Sequence, residues 1–164
     1  MLRPMPNFQR EKMQTNSGST HNIDALPSRI LHTMIRVSDL ERSIAFYQDA
    51  LGMIELRRED YPEGQFTLSF LGYNHEPEGS VIELTYNYAA AEYTHGSGFG
   101  HIAIAVSDID AACKRLSAMD VKIIRQPGPM AYTATNGQRD VIAFISDPDG
   151  YQIEIISTPN AERH

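Results

Sequence analysis

A chain of 164 residues with 41% hydrophobic side chains can close one ordinary packed domain, or two small fused units, and is too apolar to stay disordered. Its net charge of −7, with no Lys/Arg cluster, argues against nucleic acid, although one local arginine suffices to hold a small anion. No apolar run approaches the ~20 residues that span a bilayer, and the single cysteine excludes an intrachain disulfide and fits a reducing, cytoplasmic compartment.

Residues 1–30 are polar, carry Pro4, Pro6 and Pro27, and show no hydrophobic period. They lack the apolar stretch of a secretory signal. Arg3, Arg10 and Lys12 admit a transit peptide, but Glu11 and Asp24 weigh against one. A flexible N-terminal extension, or an arm lying on a partner subunit, is expected. From His32 to Val37 alternation predicts a strand, with Thr33, Ile35 and Val37 on the face that packs on a helix. His32, Met34 and Arg36 share the opposite face. LERSIAFYQDALGM follows Asp39, with Leu40, Ile44, Tyr47 and Leu51 at helical spacing, and Ser38/Asp39 as N-cap. MIELRRE, FTLSFLGY and SVIELTYN then read as strands, with turn residues NHEPEG at 74–79. In the last of these strands Glu83, Thr85 and Asn87 share one face, opposite Ile82, Leu84 and Tyr86.

At residue 100 the pattern starts again. GHIAIAVSDID echoes LHTMIRVSDLE, each placing a histidine five residues before Val-Ser-Asp, and His32 and His101 lie 69 residues apart. Ile102, Ile104 and Val106 form the apolar face of this strand, opposite His101. Ser107/Asp108 cap a second helix with Ile109, Ala112, Cys113, Leu116 and Met119 on one stripe, where Cys113 reads as a buried structural thiol. VKIIRQ, DVIAFIS and GYQIEIIS supply three more strands, with DPDG turning at 147–150 and Glu154 opposite Ile153 and Ile155. Each half is therefore β-α-β-β-β, with one histidine on its first strand and one glutamate on its last.

A lone buried carboxylate costs several kcal/mol to desolvate, so two His and two Glu at matching repeat positions point to a divalent cation. Imidazole nitrogen favours zinc, nickel, cobalt or iron, and carboxylate oxygen balances the charge. His21, His75, His95 and His164 lack such partners and read as surface histidines.

Residues 31–157 resemble glyoxalase I of the vicinal-oxygen-chelate superfamily. The segments that carry the likeness are LHTMIRVSDLERSIAFYQDALGM, FLGY, VIELTYN, GHIAIAV and DPDGYQIEI. The resemblance implies an α+β fold in which two paired βαβββ repeats, 31–90 and 100–157, form a curved, half-open mixed sheet around a metal site. It implies a glyoxalase domain between the extension 1–30 and a tail at 158–164. It also implies a homodimer whose sites draw on both subunits, with ligands His32, Glu83, His101 and Glu154. Glu154 would be the main catalytic base and Glu83 its counterpart. The reaction implied isomerises the hemithioacetal of methylglyoxal and glutathione to S-lactoylglutathione through an enediolate, with no redox cofactor. Arg36 and Asn87 match positions that hold the γ-glutamyl end of glutathione, and the strand faces put them beside His32 and Glu83. Arg125 lies near a lysine position at the substrate mouth and is a candidate for the glycyl carboxylate.

Two departures stand out. Ser97 replaces an arginine found in some relatives four residues before the second histidine, and 129–140 is longer than the corresponding loop in many of them. The short link FLGYNHEPEGSVIELTYN resembles the nickel/cobalt-activated class, while the long N-terminal extension resembles some zinc-type members. The expectation is Ni2+, with Zn2+ or Co2+ as alternatives. Rival readings are a metal-free ligand-sequestering module, a methylmalonyl-CoA epimerase-like enzyme and a trypanothione-using glyoxalase. Fosfomycin thiol transferases and extradiol dioxygenases use three protein ligands, so Glu83 argues against them.

Overall fold

Two aspartates start the two helices. Asp39 is extended and its carboxylate accepts from the Arg42 amide at 3.0 Å; Asp108 does the same for Ala111 at 2.9 Å. Each bond satisfies an amide that the helix itself leaves without a partner. The computed structural model describes residues 27, 29–73, 79–89 and 92–158. Helix α1 spans Leu40–Ala45 and continues as a π-helical turn over Phe46–Ala50; α2 spans Ile109–Ala118. The spacing of Leu40, Ile44, Tyr47 and Leu51 predicts one regular helix. The wider π turn changes the rotation per residue, so Tyr47 and Ala50 are buried and Leu51 is half-buried. On α2 the buried stripe is Ile109, Cys113 and Leu116, with Ala112 half-buried. Met119, expected on that stripe, caps the helix and is exposed, because Asp120 takes a left-handed φ of 58° and turns the chain away.

Strands β1 (His32–Arg36), β2 (Ile54–Tyr61), β3 (Phe66–Gly72) and β4 (Val81–Asn87) form one four-stranded sheet in the order β1-β4-β3-β2. Strands β5 (Ile102–Val106), β6 (Ile123–Pro129), β7 (Val141–Ser146) and β8 (Gln152–Ser157) repeat it as β5-β8-β7-β6. In both, the first and last strands pair in parallel and the other pairs are antiparallel, so each sheet is mixed and open. The 129–140 segment is an ordered extension of the β6–β7 hairpin. Met130 N bonds Asp140 O at 2.9 Å, Gly137 supplies a φ of 82°, and the Arg139 guanidinium folds back onto the Met130 carbonyl. The expected extension at 1–30, apart from residues 27, 29 and 30, and all but Thr158 of the expected tail lie outside the described residues, as do His21, His75 and His164.

The two halves share one core. Ile35, Val37, Ile44, Tyr47, Leu71, Ile82 and Leu84 from the first half join Cys113, Leu116, Ala143, Ile145, Ile153 and Ile155 from the second in a single buried cluster. Thr33, expected to pack with Ile35 and Val37, is exposed at the open end of β1. Polar bonds rivet the halves together. The Tyr47 hydroxyl donates to Asp147 Oδ2 at 3.1 Å, Ser38 N and Ser43 Oγ donate to Asp149 at 3.0 and 3.1 Å, and Arg115 reaches the carbonyls of Asp49 and Ala50.

Candidate metal centre

Parallel pairing of the first and last strand of each repeat brings a histidine to a glutamate. In the first sheet His32 is level with Val81 and Glu83 with Met34; in the second Glu154 is level with Ala103, two residues beyond His101. Side chains two apart on a strand share a face. His32 Nε2 therefore lies 3.0 Å from Glu83 Oε2, and His101 Nε2 lies 3.1 Å from Glu154 Oε2. The two histidine side chains are 39% and 42% exposed, while the glutamates are nearly buried at 12% and 11%, so each carboxylate is held in the sheet and each imidazole opens toward solvent. All four sit on the faces turned away from the shared core. Consequently the chain builds two two-donor half-sites and does not bring them together. Among the described residues no group of three or more His, Cys, Asp or Glu converges. The donors fit a divalent transition metal, since an imidazole nitrogen and a carboxylate oxygen side by side are the ligands such ions take, but two are too few for a closed site.

The other expected residues flank these pairs. Arg36 is exposed on β1, on the His32 face, and its backbone N–H donates to the Tyr151 hydroxyl at 3.2 Å. Asn87 lies on the Glu83 face of β4, where its amide donates to the Tyr93 hydroxyl at 3.0 Å. Arg125 sits across from Phe144 on β6, its guanidinium bonded to the carbonyls of Pro129 (2.8 Å), Ile142 (3.4 Å) and Gly128 (3.5 Å) rather than to a carboxylate.

Sequence reasoning missed the third member of each half-site. Phe70 on β3 is the cross-strand neighbour of Glu83, and its ring meets His32 edge-on with centroids 5.7 Å apart. Phe144 on β7 is the neighbour of Glu154 and meets His101 at 5.4 Å. The Arg57 guanidinium lies over Phe70 at 3.3 Å and pairs with Glu59, so Glu83–Phe70–Arg57 and Glu154–Phe144–Arg125 form matching rows across the two sheets. Cross-strand register, which no spacing within one strand reveals, is the signal needed to find them. His95 also differs from its surface reading. It is half-buried, stacked on Tyr151 at 4.0 Å, with a buried Nε2 that has no hydrogen-bond partner among the described residues.

The family described as the Glyoxalase/Bleomycin resistance protein/Dioxygenase superfamily matches residues 29–155. A probable lactoylglutathione lyase of Synechocystis is 53% identical over 129 residues, covering 79% of this chain and 95% of the relative. A lactoylglutathione lyase of Neisseria meningitidis is 48% identical over 134 residues, covering 82% and 94%. Among solved structures, the trypanothione-dependent glyoxalase I of Leishmania major superposes with a TM-score of 0.67 at 46% identity, covering 80% of this chain and 87% of that one.

Proposed function

The chain belongs to the glyoxalase/bleomycin resistance protein/dioxygenase superfamily, and we propose that its place there is that of a lactoylglutathione lyase, glyoxalase I. It is a lyase that isomerises the hemithioacetal of methylglyoxal and glutathione to S-lactoylglutathione. The observation that carries the residue-level reading is the twin His–Glu pair, His32–Glu83 and His101–Glu154, standing at equivalent places in two copies of one fold.

The proposed ligand set is His32, Glu83, His101 and Glu154, completed between two copies of the chain. Each copy offers two donors on each of two outward faces, so a two-fold pair of chains makes two four-donor sites, and a self-complementary homodimer is the simplest assembly that does so. A divalent cation held there by these residues would supply electrophilic stabilisation of the negative charge that develops as the C1 proton leaves. Glu154 is the proposed base, taking the proton from C1 of the hemithioacetal and returning it to C2, while the hydroxyl proton passes from the C1 oxygen to the C2 oxygen, with Glu83 opposite it. Arg36 and Asn87 are the proposed partners of the γ-glutamyl end, and Arg125, whose charge meets only backbone carbonyls among the described residues, is the proposed partner of the glycyl carboxylate. The short β3–β4 link, residues 73–80, supports nickel, with zinc or cobalt as alternatives. The proposed setting is the cytoplasm, where the reaction removes reactive methylglyoxal. No helix among the described residues is long and apolar enough to cross a membrane. The glyoxalase domain proposed is 31–157.

The test is thioester formation from methylglyoxal and glutathione by metal-stripped protein reloaded separately with nickel and zinc. Activity restored by nickel above zinc supports the full reading. Activity with neither, in protein that still binds metal, overturns it; trypanothione in place of glutathione then tests the thiol.

A further inference from the structure

We propose that Thr85 decides which of the two glutamates moves the proton. The inference rests on the lyase reading above and concerns the difference between its two half-sites. In the first, Glu83 is held at both carboxylate oxygens: His32 Nε2 sits on Oε2 at 3.0 Å, and Thr85 Oγ1 donates to Oε1 at 3.0 Å. Glu83 and Thr85 are both buried, at 9% and 8% exposure, so this charge-assisted bond is shielded from water. In the second half-site Glu154 is held at one oxygen only, by His101 Nε2 at 3.1 Å on Oε2. Among the described residues no hydrogen bond reaches its Oε1.

The cause is one substitution between the repeats. Glu83 and Glu154 lie 71 residues apart, and the same shift carries Thr85 onto Ile156, which has no hydroxyl to give. The flanking strands reinforce the contrast. Thr85 is level with Arg36 on β1, whereas Ile156 is level with Ala105 on β5 and Ile142 on β7, an apolar surround that offers no substitute donor. A base must swing from its resting partner to the carbon acid and back. For Glu83 that motion breaks a buried hydrogen bond to a charged acceptor, a handicap of roughly 10- to 100-fold. Glu154 carries no such handicap. When the first half of one chain faces the second half of its partner, each assembled site holds one locked carboxylate and one mobile one. Glu83 stays a ligand, and Glu154 is the base that takes the C1 proton on its unheld oxygen and delivers it to C2. Thr85 is thus a positioning residue acting through Glu83.

The experiment uses the full chain, with Thr85→Val (equal in shape, lacking the hydroxyl) and Thr85→Ser (hydroxyl kept), each alone and combined with Glu154→Gln. Glu154→Gln alone loses turnover. Thr85→Val in that background frees Glu83 to act as base and raises kcat roughly tenfold or more over Glu154→Gln, while Thr85→Ser does not. In the reciprocal direction Ile156→Thr, which tethers Glu154, lowers kcat with KM little changed. A readout independent of turnover is nickel affinity by chelator competition, which Thr85→Val weakens about tenfold and Thr85→Ser restores. Nickel affinity unchanged in Thr85→Val overturns the locking role. Weakened affinity with no recovery of kcat in the Thr85→Val, Glu154→Gln protein overturns the division of labour. If wild-type protein forms no thioester with either metal, the lyase reading fails, and the affinity ratio still reports on Thr85 separately.

Discussion

Mixing two dead variants tests whether the metal site is built between chains. His32→Ala with Glu83→Gln removes the first half-site, and His101→Ala with Glu154→Gln removes the second. If each site takes its first half from one chain and its second half from the other, both homodimers lack any intact site. In the mixed dimer one site collects both damaged halves, and the other collects the undamaged first half of one chain and the undamaged second half of its partner. Co-refolding equal amounts makes half the dimers mixed, and each has one intact site of two, so recovered activity is about one quarter of wild type. The ligand substitutions lie on the open faces, away from the shared core, so both variants should fold. The assay is thioester formation after co-refolding with nickel, with each variant refolded alone as the blank. Recovery near one quarter supports the shared site. No recovery, in protein that size-exclusion shows to be mixed dimer, refutes the reasoning from two outward half-sites.

Tyr47→Phe should cost about 1–3 kcal/mol in chemical denaturation, because the fully buried hydroxyl is a donor to the buried Asp147 and the ring itself is retained. Burial pushes the Asp147 carboxyl above the usual carboxylate range, against the bonds it accepts from Tyr151 N, the Tyr47 hydroxyl and Asp149 N. A raised folded-state value means that its stabilising share is full below the unfolded value, about 3.9, and is lost as pH rises through the folded value. Asp147→Asn should therefore gain on wild type as pH rises through that window and run parallel above it. Denaturation midpoints that diverge the other way would remove burial as the dominant cause. Burial, and to a lesser degree Asp110, also raises the Cys113 thiol, so the native protein should resist alkylation at pH 8 and react promptly once unfolded.

The duplication, both helix caps and all eight strands are legible in the sequence, because each depends on residues near one another along the chain. Alternation within β1 and β4 separates His32 and Glu83 from Ile35 and Leu84 without any tertiary information. What depends on pairing across the sheet is not legible in this way. Phe70 and Phe144 join the half-sites through antiparallel register, and β-bulges at Glu55/Arg57 and Ile123/Arg125 shift that register where a reader counting residues would slip by one. The π turn at Phe46–Ala50 and the packing of His95 against Tyr151 are likewise decided by tertiary contacts. Nothing in a hydrophobic pattern marks them.

The arrangement of the two repeats explains why two copies of one phrase give two separate His–Glu pairs rather than one cluster of four. Each repeat has a helix-covered face and an open face, and its His–Glu pair lies on the open one. Fusing the halves through their covered faces merges Val37 and Leu84 with Ile145 and Ile153 in one core. The same step turns both His–Glu pairs outward. The buried Tyr47–Asp147 bond, with the half-buried Asp149 bonds to Ser38 and Ser43 and the Tyr151 hydroxyl at the Arg36 amide, then fixes that arrangement. Opening the chain so that its own pairs could meet would expose the core and strand Asp147 without its tyrosine, and each of these costs stability. Association through the open faces needs no such rearrangement. On the proposed reading, the buried side of the molecule thus leaves the metal site to be completed by a second chain, and the small difference between Thr85 and Ile156 is what would give the two halves of each assembled site their separate roles.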